Sequence, residues 1–176
     1  NGQENNAHGY ATEIGYSFLA DWKPRLSFIY AYASGDKKPN DSKNQRFNRL
    51  FGFNRPWSNS NHIEWENLET FKSRIEFKPH QKLRMEASYN LYWLASETDS
   101  WKRANLRDET GNSGKEIGQD LEFRTHYKIN NNLRTTIGYA HFIPGEFAKT
   151  AGREGASNFI YFEFTIDFFG SDILGY

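Results

Sequence analysis

The chain has 176 residues, about one domain by length, and its 22 Lys and Arg are balanced by 22 Asp and Glu, which removes the electrostatic case for a nucleic-acid or polybasic membrane-surface protein. Cysteine is absent, so a disulfide framework, a thiolate metal site and a cysteine nucleophile are all excluded. Mean hydropathy is as low as −0.85, yet Phe, Tyr and Trp make up 17% of the chain, which disorder does not explain, and no run of about 18 apolar residues offers a transmembrane helix.

Residues 1–6 carry neither a charged nor an apolar stretch, so no signal peptide is read there. Strand-like alternation begins at Gly9, and the chain is expected to be a fragment or a processed chain whose N-terminal part lies elsewhere. Seven segments follow with period 2, the strand signature: 9–20, 25–34, 67–78, 83–96, 117–129, 133–143 and 158–169. In the fourth, Leu83, Met85, Ala87, Tyr89, Leu91 and Trp93 share one face, and Arg84, Glu86, Ser88, Asn90 and Tyr92 the other. In the fifth, Ile117, Gln119, Leu121, Phe123, Thr125, Tyr127 and Ile129 oppose Gly118, Asp120, Glu122, Arg124, His126 and Lys128. A helix would mix these sets on every side. In the last, Ile160, Phe162, Phe164, Ile166 and Phe168 oppose Tyr161, Glu163, Thr165 and Asp167.

Short connections at 21–24, 79–82 and 130–132 alternate strictly with long ones at 35–66, 97–116 and 144–157. All tight turns therefore fall at one end of the sheet, the layout of a transmembrane barrel with short periplasmic turns and long external loops. Each tight hairpin begins with an aromatic and a lysine (Trp22-Lys23, Phe77-Lys78, Tyr127-Lys128) and restarts at Leu26, Leu83 or Leu133. An aromatic followed by Lys suits a headgroup girdle, with the ring at the interface and the ammonium in water. At ~3.3 Å rise and ~45° tilt, ten residues climb roughly 23 Å, close to the ~25 Å apolar band of an outer membrane. A soluble β-sandwich or lipocalin-like barrel also has one apolar face. Charges deep in mid-strand and bulky aromatics on nearly every strand favour the membrane barrel. The fold class is thus all-β, an antiparallel transmembrane β-barrel. Seven strands leave two open edges, which cannot face lipid, so the chain alone is not expected to close.

The stretch 89–147 resembles the alginate-export family of outer-membrane porins. The resemblance rests on Tyr92-Trp93-Leu94-Ala95-Ser96-Glu97-Thr98-Asp99-Ser100-Trp101, on Arg103-Ala104-Asn105, on Arg107-Asp108-Glu109-Thr110-Gly111-Asn112-Ser113-Gly114, on Ile117-Gly118-Gln119-Asp120-Leu121, and on Gly138-Tyr139-Ala140-His141-Phe142-Ile143-Pro144-Gly145-Glu146-Phe147. Tyr32-Ala33-Ser34-Gly35-Asp36 and Phe47-Asn48-Arg49-Leu50-Phe51 are similar as well. The resemblance implies that 1–169 is the C-terminal part of one barrel of about 18 strands, with 170–176 as a short tail. It implies a bacterial outer-membrane location, passive passage of an anionic, alginate-like polysaccharide or a small anion, outer-membrane lipid and periplasmic export partners, and no cofactor. The competing expectation is a non-conducting barrel acting as a structural or ligand-binding surface protein.

With the charged parity turned to the lumen, Lys72, Arg74, Arg84 and Arg124 cluster on three neighbouring strands and are the expected pore-wall contacts. Guanidinium forks match carboxylates bidentately. Glu76, Glu86 and Glu122 lie beside them, so both a salt-bridge ladder stiffening the wall and a cationic track stay open. In the loops, Trp101, Arg103 and Arg107 are the expected mouth contacts, a ring to stack on sugars and guanidiniums to clamp carboxylates. The loop 35–66 carries Phe47, Leu50, Phe51, Phe53 and Trp57, which argues that it folds back to constrict the lumen or cover the mouth. His8, His62, His80, His126 and His141 show no ligand spacing, so no metal is expected. Glu64, Glu66 and Glu69 read as a solvated acidic face rather than a Ca²⁺ site. No nucleophile–base constellation emerges, and the chain is not read as an enzyme.

Overall fold

The computed structural model describes residues 4–38, 41–49 and 57–168. Among these residues nine strands form: β1 (Glu4–Asn5), β2 (Gly9–Ser17), β3 (Arg25–Ala33), β4 (Lys43–Asn44), β5 (Leu68–His80), β6 (Leu83–Trp93), β7 (Glu116–Lys128), β8 (Leu133–Pro144) and β9 (Ser157–Ile166). A five-residue helix α1 (Glu146–Thr150) and a 3-10 turn at Lys102–Ala104 lie in the long connections. β1 and β4 make a small parallel pair. The other seven strands form one antiparallel sheet in the order β2-β3-β5-β6-β7-β8-β9. All seven expected strands are present, with ends within three residues of the alternation. Among the described residues the sheet is open, with β2 and β9 at its edges. The expected tail 170–176 lies outside the described residues.

Every neighbour in the main sheet is also a neighbour in sequence apart from the small β4, so register follows from the hairpins. At the first, the backbone leaves the ladder at Phe18, whose N–H bonds Pro24 O at 2.8 Å, and Lys23 takes a positive φ of 47° to turn the chain. Transverse rows of paired residues result. One runs Ser17, Arg25, Glu76, Glu86, Arg124, Gly138, Tyr161; the next runs Gly15, Ser27, Arg74, Ser88, Glu122, Ala140; a third runs Glu13, Ile29, Lys72, Asn90, Asp120, Phe142. Two glycines fit local constraints. Gly118 has φ +147°, and a Cβ there would sit 2.3 Å from Ile143 O. At Gly138 a Cβ would meet the Tyr161 ring at 2.1 Å, so only hydrogen lets that ring lie across the sheet.

The two faces differ sharply. Leu26, Phe28, Phe71, Ile75, Leu121, Phe123, Ile137, Ile160, Phe162, Phe164 and Ile166 are exposed, Phe162 and Phe164 to more than half. From β3 to β9 the opposite parity is mostly buried or half-buried although it carries most of the strand charges, with Arg84 and Arg134 exposed; on the edge strand β2 it is open. The apolar core is assembled elsewhere: Ile63, Leu68, Tyr92, Leu94, Trp101, Ile117, Phe142, Phe147 and Ala148 cluster where the long connections meet the strand ends. α1 contributes Phe147 and Ala148 to it. The aromatics of the exposed parity, unlike Tyr92 and Phe142 on the other, therefore take no part in this core.

Candidate functional site

The rows bring the four expected wall cations together on the charged face. Glu13 holds Arg25 at 2.7 Å and Arg74 at 2.8 Å. Glu76 holds Arg25 at 3.3 Å and Arg74 at 3.4 Å, and also Arg84. Glu86 joins Arg84 at 3.4 Å to Arg124. This is one continuous network of four arginines and three glutamates across β2, β3, β5, β6 and β7, with one positive charge in excess. Each carboxylate is shared among guanidiniums, so the forks are held in place while part of each stays open. Lys72 is bonded to Glu122 at 3.3 Å and nearly closed off, whereas 43% of the Arg84 side chain is exposed. Arg25 and Glu13 belong to the network as fully as the three expected arginines. Arg25 faces the same way in the alternation but sits one strand outside the cluster read from the sequence.

A piece of the long β4–β5 connection is seated on this face. Tyr92 Oη donates to Trp57 O at 2.7 Å, Ser58 Oγ donates to Asp120 at 3.1 Å, and Asn59 N–H donates to Glu122 Oε1 at 2.5 Å. Ser58, Asn59 and Ser60 are buried by the contact. Asp120 and Glu122, both sealed, act as a two-point socket for the loop tip. The expected fold-back of 35–66 is thus seen in its described part. Leu50, Phe51 and Phe53 lie outside the described residues. Beside the tip, a cavity of about 290 Å³ is lined by Glu13, Ile29, Trp57, Lys72, Arg74, Glu86 and Arg124. Trp57 therefore lines the same cavity as the cations, which its isolated position in a loop did not reveal. A larger cavity of about 830 Å³ opens at the tight-turn end between Arg25, Glu76, Arg84, Lys23 and Lys78.

The three expected mouth residues have different settings. Trp101 is only 4% exposed. Its Nε1 donates to His62 O at 2.8 Å, and its ring lies 5.7 Å from Phe142 with Arg153 5.3 Å above it. The expectation that it stacks on a sugar is corrected here: the ring is part of the core that fastens the loops. Arg103 donates to Asn61 O at 3.1 Å and pairs with Glu64 at 3.4 Å. Arg107 donates to Thr98 O at 3.0 Å and pairs with Glu109 at 3.6 Å. Both remain partly open. Glu66 pairs with Lys102 at 3.1 Å and Glu69 accepts from Tyr30 Oη at 2.9 Å, so these acids each have partners of their own. No cluster of three acidic or histidine side chains suited to a metal occurs among the described residues.

Two loop groups are electrostatically shaped. Asp108 accepts from Thr110 Oγ1, Thr110 N and Ser113 N, and these hydrogen bonds hold its carboxyl well below the usual range. His62 is pushed down to about 4 by burial and by the nearby Arg153 and Arg103 charges. Sequence reading missed the latch joining the loops. Asp99, fully buried, accepts from Asp36 N at 2.8 Å, Arg46 Nε at 2.8 Å and Ser100 N at 2.7 Å, and pairs with Arg46.

A family model described as alginate export matches residues 1–162, nearly the whole chain. The chain belongs to the alginate export family. No curated protein matches it. The alginate export family is a transport family rather than an enzyme family, and it suggests polysaccharide export across the outer membrane.

Proposed function

We propose that this chain forms one wall of an outer-membrane β-barrel that passes an anionic polysaccharide or a small anion without chemical change. One observation carries the reading. The sheet exposes its aromatic face and largely covers its ionic face, the reverse of a soluble protein and the pattern expected where lipid lies outside and water inside. In this reading Arg74, Arg84 and Arg124, with Arg25, form the cationic track, and Lys72 stiffens the wall beneath the loop tip. Each guanidinium has five donors in a fixed fork, more than its glutamate partners use, and the remainder are offered to a passing carboxylate. The seated loop narrows the passage, and Arg103 and Arg107 line its mouth. Outer-membrane lipid and periplasmic export partners complete the setting.

The pairing of the wall cations with glutamates, and the loop lying across them, favours a second reading: a barrel that conducts nothing and serves as a structural or ligand-binding surface protein. Planar-bilayer recording of the full-length protein separates the two. A conducting barrel is expected to prefer anions, and Arg74→Glu or Arg124→Glu is expected to lower that preference. Silence in the bilayer, or selectivity untouched by both changes, favours the second reading.

A further inference from the structure

Three tyrosines on the exposed, aromatic parity make the same contact. Tyr30 Oη donates to Glu69 Oε1 at 2.9 Å, Tyr89 Oη to Gln119 Oε1, and Tyr139 Oη to Asn158 Oδ1 at 2.7 Å. Each acceptor stands on the next strand of the sheet, two residues beyond the tyrosine's ladder partner (Phe71, Leu121, Ile160) toward the long connections. His141 Nδ1 lies 2.8 Å from the same Asn158 oxygen. A carboxylate, two carboxamides and an imidazole thus stand on the parity that elsewhere carries mostly Phe, Tyr, Leu and Ile. Among acyl chains a carboxylate is costly, whereas a tyrosine ring with its hydroxyl turned outward suits the edge of an apolar band.

The pairs do not follow one hydrogen-bonded row. Tyr30 shares its row with Phe71, Leu91 and Gln119; Tyr89 lies in the next, with Phe28, Leu121, His141 and Asn158; Tyr139 lies in the one after, with Phe123 and Ile160. The belt therefore drops by two residues toward the tight turns for every two strands crossed. A drop of ~6.6 Å over ~9.6 Å is an angle of roughly 35°, and strands in outer-membrane barrels tilt by ~35–45°. Strands tilted in this way bring all three pairs to one height. The tight turns step in the same sense: the first hairpin leaves the ladder at the Ser17–Arg25 row, whereas β5 runs past Glu76 of that row to His80, and β7 runs past Arg124 to Lys128. Both edges of the aromatic face are thus oblique to the rows and parallel to each other. From Gln119 to Tyr127 the tilted strand rises roughly 20 Å, near the ~25 Å of an outer-membrane apolar band.

We propose that this tyrosine belt is the outer edge of the acyl layer, and that Glu69, Gln119, His141 and Asn158 hydrogen-bond the sugar headgroups of an outer-leaflet glycolipid. These pairs include no Lys or Arg, so a phosphate would meet a carboxylate and no counter-charge. Sugar hydroxyls donate to Glu69 and accept from the carboxamides. The proposal rests on the reading of the sheet as a barrel wall, and it adds a height in the membrane and a lipid partner.

The test has two arms, both on the full-length protein. In phosphatidylcholine vesicles, nitroxides at Gln119→Cys and Asn158→Cys are expected at headgroup depth, relaxed more by a water-soluble nickel complex than by oxygen. Labels at Phe71→Cys and Phe28→Cys, which share those two rows, are expected deep among the acyl chains and relaxed mainly by oxygen. Equal depth within each row overturns the belt. In detergent, added lipopolysaccharide is expected to raise the midpoint of thermal unfolding and phosphatidylglycerol to leave it unchanged, and the double variant Gln119→Leu with Asn158→Leu is expected to lose at least half of the shift. No shift in the wild type, an equal shift with phosphatidylglycerol, or a full shift in the double variant overturns the sugar contact. Deep labels at Phe71 and Phe28 leave the barrel reading standing in each of these cases, whereas nickel reaching all four labels strikes the barrel reading itself.

Discussion

His62 is the residue whose surroundings give the sharpest pH dependence. Its Nε2 lies 3.2 Å from Ser157 Oγ and 3.5 Å from Arg153 Nη2, and its ring packs 5.4 Å from Phe142. Burial first, and then the Arg153 and Arg103 charges, favour the neutral ring, which is pushed down to about 4. The folded value is thus below the ordinary one of about 6.5. Stability from this site is whole above about 6.5, where the ring is neutral folded or unfolded, and is lost as pH falls from there through 4, where the unfolded chain takes the proton more readily. Between pH 7 and pH 5 the wild type is expected to lose more stability in urea unfolding than His62→Gln, which cannot titrate; equal losses would refute the assignment. Nothing near His62 in sequence announces this, because its partners Arg153 and Ser157 lie 91 and 95 positions away. The wall arginines were legible for the opposite reason: alternation within one strand fixes which way Arg74, Arg84 and Arg124 point.

At the scale of elements, the strands were legible and the loop anchors were not. Period-2 alternation is local, and a one-residue slip would turn every aromatic of β7 to the wrong face, so register is strongly specified. The aromatic content of 35–66 announced a folded-back loop, but its socket joins Asn59 to Glu122 across 63 positions and left no local trace. The same distance problem hid Trp101, whose burial depends on Phe142 from another strand. Glu122 has two separable roles, since it bonds Asn59 N–H and Ser88 Oγ while pairing with Lys72. Glu122→Gln keeps an acceptor for the loop and removes the charge; Glu122→Ala removes both. If the seated tip narrows the passage, Glu122→Ala is expected to raise single-channel conductance, while Glu122→Gln leaves conductance near the wild type and shifts selectivity toward anions. Equal conductance in all three proteins would show that the tip does not limit flow. Removing the acceptor of the Asn59 N–H and the carboxylate paired with Lys72 in Glu122→Ala is expected to cost about 3–5 kcal/mol of stability, the usual range for breaking a buried pair.

For the whole molecule, the orientation of the sheet decides every role assigned to its residues. A sheet that buries its greasy side in a second protein layer and one that offers it to lipid have the same backbone and the same ladder. They differ in what reaches each face. The absence of cysteine makes the chain suited to single-cysteine mapping, with each introduced thiol carrying a nitroxide in the full-length protein reconstituted into vesicles. Leu121→Cys, Phe123→Cys and Phe162→Cys lie on the exposed aromatic side; Thr136→Cys and Thr165→Cys lie on the half-buried polar side. Oxygen, which concentrates in acyl chains, is expected to relax the first three labels strongly. A water-soluble nickel complex is expected to act on the last two, so that the preference switches between the parities along the strands. The edge strands matter here as well, because β2 and β9 present unpaired ladder groups that a hydrocarbon setting does not tolerate. In the proposed barrel β2 and β9 pair with further strands, and the alternation is then expected to continue without a break at Ile14→Cys on β2. Labels at Leu121 and Phe162 that both reagents fail to reach would mean a sealed protein layer on that side, and the arginine wall would then have no lumen to line.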